Sequence, residues 1–136
     1  MEFVFKSKAP GEKARLLAAF ENFALENRLP PDVQRAADLA IEEHLTNILS
    51  YGFIGSNEHE IRFHFELKAG ELSIEIADNG KPFDPTIQPA PDLTVPADQR
   101  AIGGLGIHMI RKSMDALEYR RENGRNVLRM RKRLKG

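Results

Sequence analysis

Leu72-Ser73-Ile74-Glu75-Ile76-Ala77-Asp78-Asn79-Gly80-Lys81-Pro82-Phe83-Asp84 is the stretch on which the reading of this chain turns. Its first half alternates apolar and polar residues, the period of a half-buried strand. Continued, the alternation puts Asp78 at the strand's end, on the same side as Leu72, Ile74 and Ile76. A carboxylate buried there is costly unless something hydrogen-bonds to it. An adenine amino group is one such donor, and Gly80 would let a base approach the backbone. An ordinary Asp-Asn-Gly turn is the plainer alternative.

Upstream, Ile61, Phe63, Phe65 and Leu67 alternate in the same way, with Ala69-Gly70 as the hairpin turn. Before them, Val33, Ala37, Ala40, Ile41, Leu45, Ile48 and Leu49 form an apolar stripe at helical spacing. Pro30-Pro31 starts that helix, and Gly52, Gly55 and Ser56-Asn57 end it. Leu16, Leu17, Phe20, Phe23 and Ala24 mark an earlier helix behind Pro10-Gly11, and residues 3–6 read as a first strand. Downstream, residues 79–103 lack periodicity and hold five of the eight prolines. Inside a compact domain so long a structureless stretch is usually functional, often a lid. Leu105–Met114 reads as a third helix, and Leu117–Glu122 with Asn126–Arg131 as a hairpin around Asn123-Gly124. The expected fold is an α/β sandwich: about five strands in a mixed, mostly antiparallel sheet, with three helices on one face. All 136 residues are expected in one domain without internal repeats.

Composition narrows the functions. The chain has no cysteine, which excludes disulfides, thiolate zinc sites and cysteine nucleophiles and suits a cytoplasmic home. No apolar run is long enough for a membrane span, and Met1-Glu2-Phe3-Val4-Phe5-Lys6 lacks the apolar core of a secretory signal. Net charge is zero but uneven: residues 1–110 carry 10 Lys/Arg against 17 Asp/Glu, residues 111–136 carry 10 against 3. The late basic residues interleave with apolar ones, as on the solvated face of a terminal hairpin, so no direct nucleic-acid partner is expected. His44, His59, His64 and His108 have no metal-ligand spacing.

Glu43 and Asn47 lie four apart and share a helix face. A carboxylate can take a proton from a hydroxyl, and an amide oxygen one turn away can hold a hard cation that already carries phosphate and water ligands. Two ordinary surface residues would look the same. Gly103-Gly104-Leu105-Gly106 runs into the third helix, where free backbone N–H groups and the helix dipole suit phosphate. A flexible loop reads similarly. Arg100, just before these glycines, could reach a phosphate or remain solvated. The chain has no Gly-x4-Gly-Lys-Ser/Thr loop, and its glycines do not follow a strand in a βαβ unit.

Order and spacing join these pieces: acid and amide on a helix, two strands, Asp-x-Gly, a long segment, then Gly-x-Gly into a helix. The whole resembles the GHKL ATPase superfamily, whose nucleotide site is the Bergerat fold. Glu43-His44-Leu45-Thr46-Asn47 looks like its N box, Asp78-Asn79-Gly80-Lys81-Pro82 like its first glycine box, and Gly104-Leu105-Gly106 like its second. Along its full length the chain is similar to the small bacterial anti-sigma factor serine/threonine kinases. That resemblance implies ATP and Mg²⁺ as cofactors, Glu43 as catalytic base, Asn47 as Mg²⁺ ligand, Asp78 as adenine reader and residues 84–103 as an ATP lid. It also implies phosphorylation of a small anti-anti-sigma protein, sequestration of a sigma factor, and a homodimer. His44 departs from the family, where its position is commonly small, and is expected beside the key residues rather than among them. The lid is unusually rich in proline. An ATP/ADP-sensing module that sequesters a regulator without phosphorylating it is the alternative. A detached histidine-kinase catalytic domain ranks below both.

Overall fold

The computed structural model describes residues 1–52, 59–87 and 104–134. Five strands, β1 (Glu2–Lys6), β2 (Glu60–Lys68), β3 (Glu71–Asp78), β4 (Ala116–Glu122) and β5 (Arg125–Arg133), join three helices, α1 (Glu12–Glu26), α2 (Pro31–Asn47) and α3 (Gly104–Ser113). The sheet order is β1-β2-β3-β5-β4. Each neighbouring pair is antiparallel, so the mixture of directions expected from sequence gives way to a fully antiparallel sheet. Two tight turns explain much of this. Ala69-Gly70 and Asn123-Gly124 all have positive φ, the conformation whose twist matches that of the strands they join.

One sheet face is apolar and carries the helices. Ile61, Phe63 and Phe65 of β2, Leu72, Ile74 and Ile76 of β3, and Leu128 and Met130 of β5 are buried at alternate positions. Against them pack Leu16, Phe20 and Phe23 of α1, Ala37, Ile41 and Leu45 of α2, and Ile110 of α3, in one continuous core. Aromatic edges fix the first helix on the sheet: the Phe20 and Phe65 rings meet edge-on with centroids 5.0 Å apart. Glu12, buried in the first turn of α1, accepts the Lys6 backbone N–H at 2.9 Å and the Arg15 guanidinium at 2.8 Å, tying the end of β1 to that helix.

The other sheet face is charged, and the basic C-terminal residues find their partners there. Glu75 on β3 accepts hydrogen bonds from Arg120 and Arg129, Arg131 pairs with Glu118, and Arg133 lies 3.9 Å from Glu71. Two acidic residues of β3, Glu71 and Glu75, thus meet arginines of the basic C-terminal hairpin across the sheet. One expected core position is not in the core. α2 gives way after Asn47 to a π-helical turn, Ile48–Gly52, whose wider winding rotates Leu49 off the stripe and leaves it 42% exposed.

Candidate functional site

Four elements converge at one end of the sandwich: the last turns of α2, the first turn of α3, the end of β3 and the start of β5. Glu43 is half-buried and Asn47 is 6% exposed. Both lie under α3, so the polar edge of α2 is covered rather than free. Gly104, Leu105 and Gly106 form the first turn of α3, one residue earlier than the periodicity suggests. A Cβ built on Gly106 would stand 2.8 Å from Glu43 Oε2 and 3.7 Å from Asn47 Oδ1. A side chain at position 106 would therefore have to displace the Glu43 carboxylate from its place against the helix start. The Glu43 carboxylate thus rests against the positive end of a helix dipole, beside the N–H groups that lack intrahelical partners. Gly103 and Arg100 lie outside the described residues.

Asp78 is 3% exposed at the end of β3, facing inward as the alternation requires. Its Oδ1 accepts the Gly80 N–H at 2.9 Å and the Asn126 amide at 3.1 Å. Burial pushes this carboxyl above its ordinary range, while those two hydrogen bonds and the Arg121 charge pull the other way.

Asn126 is the residue that sequence reading missed. It sits opposite Asp78 in the β3–β5 register and uses both ends of its amide. Its NH₂ donates to Asp78 and, at 2.8 Å, to the Lys81 carbonyl; its oxygen accepts the Phe83 N–H at 3.2 Å and the Tyr119 hydroxyl at 2.6 Å. Arg121 adds a bond to the Gly80 carbonyl at 2.8 Å. The terminal hairpin therefore clamps the Asp78–Phe83 loop. One signal could have found it: Asn126 is polar in the inward series Asn126, Leu128, Met130.

Of the expected lid, 84–103, the structure describes residues 84–87. Pro85–Ile87 form a short 3₁₀ turn, and the Arg111 guanidinium on α3 donates to the Pro85 and Thr86 carbonyls. The remainder, 88–103, lies outside the described residues.

His44, Asn47, Ile48, Asp78, Phe83, Tyr119, Asn126 and Leu128 line a narrow pocket between α2 and the sheet. His44 is thus among the site residues, contrary to expectation, because α2 turns it toward the sheet. It is 4% exposed, and burial lowers its pKa from 6.5 to about 4. The unfolded chain takes up that proton near its ordinary value and the folded chain does not, so stability falls as pH drops from 6.5 toward 4. The loss attributable to this ring is up to roughly 3 kcal/mol. Urea unfolding at about pH 7 and about pH 4.5 should show a shallower loss in His44→Leu than in the wild type. Equal losses would remove His44 as the cause.

The donor set suits a metal that brings its own ligands. Among the described residues no three His, Cys, Asp or Glu side chains gather as a metal cage. Asn47 stands instead with its Nδ2 unpartnered among the described residues and its amide end beside the first turn of α3, where an amide oxygen could join phosphate and water ligands on Mg²⁺. No helix of the described residues is long and apolar enough to cross a membrane.

Known proteins resemble this chain. Residues 7–132 match the histidine kinase-like ATPase domain family. The serine/threonine-protein kinase BtrW of Bordetella bronchiseptica is 34% identical over 79% of this chain and 76% of its own length. An anti-sigma F factor of Clostridium botulinum is 29% identical over 98% and 92%, and the serine-protein kinase RsbW of Listeria monocytogenes 30% identical over 66% and 60%. Among solved structures, the Acinetobacter baumannii histidine kinase AdeS superposes with a TM-score of 0.53 at 13% identity, covering 100% of this chain and 68% of that one. That last likeness speaks to the fold alone.

Proposed function

The chain belongs to the family of histidine kinase-like ATPase domains, in its anti-sigma kinase-like branch, and from that premise we propose that it is an ATP-dependent serine/threonine kinase. Its substrate is a small anti-anti-sigma protein, and it holds a sigma factor inactive, as a cytoplasmic homodimer with residues 1–136 acting as one domain. The observation that carries the reading is the meeting of Glu43, Asn47 and Gly106 at the start of α3.

Each residue then has one task. Asp78 accepts a hydrogen bond from the adenine amino group, with Gly80 leaving room for the ring. Gly103, Gly104, Leu105 and Gly106 offer backbone N–H groups to the phosphates, and Arg100 adds a cation from the lid. Asn47 Oδ1 holds Mg²⁺, which when bound offsets the charge of the phosphates. Glu43 accepts the proton of the partner's serine or threonine hydroxyl as its oxygen bonds to the γ-phosphorus and the bond from that phosphorus to the β-bridging oxygen breaks, releasing ADP.

The deciding experiment incubates the protein with labelled ATP, Mg²⁺ and candidate small regulators encoded nearby. One of them is expected to acquire phosphoserine or phosphothreonine, read by mass spectrometry. ATP-dependent binding of a regulator with no phosphorylation of any would replace the kinase by the sequestering module.

A further inference from the structure

His44 is the pocket residue to which the kinase reading gives no task. It follows Glu43 on α2 and lines the narrow pocket together with Asn47, Asp78, Tyr119 and Asn126. The polar groups on the sheet side of that pocket are engaged with one another: Asn126 donates to Asp78 and accepts from Tyr119. On the helix side, His44 Nδ1 and Asn47 Nδ2 are buried and have no partner among the described residues. Asn47 is already assigned to the metal. A leucine at position 44 would fill similar volume without leaving a ring nitrogen unpaired, so space-filling alone does not account for the imidazole. Between the two sides the cavity measures about 10 Å³, room for one water, so a base would meet that water from the pocket's mouth.

We propose that His44 is a base-contacting residue of this pocket, whose Nδ1 hydrogen-bonds the ring edge of a bound purine through one water, next to the contact made by Asp78. The inference rests on the nucleotide reading of the site and extends it to a residue inside the first motif box that the resemblance leaves without a role. A water suits both faces of the problem, because it can donate to a purine ring nitrogen and serve either tautomer of the imidazole. Burial keeps the ring neutral at pH 7, so His44 adds position rather than charge to base recognition.

The test uses the full chain, ADP with Mg²⁺, calorimetry and ¹⁵N spectra of the histidines. In the wild type the Nδ1 resonance of His44 should move on saturation with ADP. His44→Leu should weaken ADP by about tenfold. His44→Asn places an amide where Nδ1 stands and should return affinity to within about threefold of wild type, whereas His44→Gln reaches the Nε2 position and should resemble leucine. An Nδ1 resonance unmoved at ADP saturation would overturn the proposal, as would a folded leucine variant with wild-type affinity. Should the leucine variant not fold, the wild-type resonance decides. A wild type that binds no ADP at all overturns the nucleotide reading itself, and this proposal with it.

Discussion

Glu43→Gln is expected to bind ATP much as the wild type does, yet to phosphorylate its protein substrate about 10²–10⁴-fold more slowly. The substitution keeps the shape of the side chain and removes only its basicity. Shape matters here, because Glu43 Oε2 lies 2.8 Å from where a Cβ on Gly106 would stand, so the end of this side chain fills the space beside the start of α3. Proton acceptance is needed chiefly in the transition state, which is why affinity should hold while turnover falls. Asn47→Ala should behave differently, losing Mg²⁺-dependent ATP binding and transfer together. Both variants are read in the same way, by titration of ATP with and without Mg²⁺ and by mass spectrometry of the phosphorylated partner. A Glu43→Gln enzyme with wild-type turnover would remove Glu43 as the base and leave its carboxylate a structural contact of α3.

The second large effect is expected at Asn126, which lies on β5 and on neither of the motif helices. Asn126→Ala strips a donor from buried Asp78 and leaves the Lys81 carbonyl, the Phe83 N–H and the Tyr119 hydroxyl without the partner they have now. Unmet hydrogen bonds at a buried position cost about 1–3 kcal/mol each, and water entering the space recovers part of that. A loss of about 2–4 kcal/mol in urea unfolding, at unchanged m, is the expected result. Adenine nucleotide affinity should fall about 10–100-fold, since the Asp78–Phe83 loop loses its clamp and Asp78 its fixed orientation. A variant that loses stability but keeps wild-type affinity would confine Asn126 to holding the sheet together.

Local patterns in the sequence were enough for the elements and for the directions in which Glu43, Asn47 and Asp78 point. Strand alternation over 61–67 and 72–76 determined which face of β2 and β3 is buried, and by extension that Asp78 points inward. The dipeptides Ala69-Gly70 and Asn123-Gly124 determined two hairpins, because their backbone conformation is set by the residues themselves. The spacing of Glu43 and Asn47 determined that they share a helix face, whatever that face meets. None of this required knowing what lies across the core.

The tertiary structure alone decided what does lie across it. The Asn126–Asp78 bond joins residues 48 apart in sequence, through a register set by the whole of β3 and β5. No local pattern encodes such a partner, since a polar residue near a strand end is equally at home in solvent. The same holds for Gly106: its sequence context says helix start, and only the packing of α3 on α2 shows that a methyl group there would strike Glu43. His44 reads as a residue beside the key ones until α2 is laid on the sheet, which turns the ring inward, strips its water and makes it line the same pocket as Asp78, with Nδ1 unpartnered among the described residues. Sequence periodicity tells a side chain which way to point. Burial, hydrogen-bond supply and close approach depend on the second surface, and that surface exists only in the folded chain.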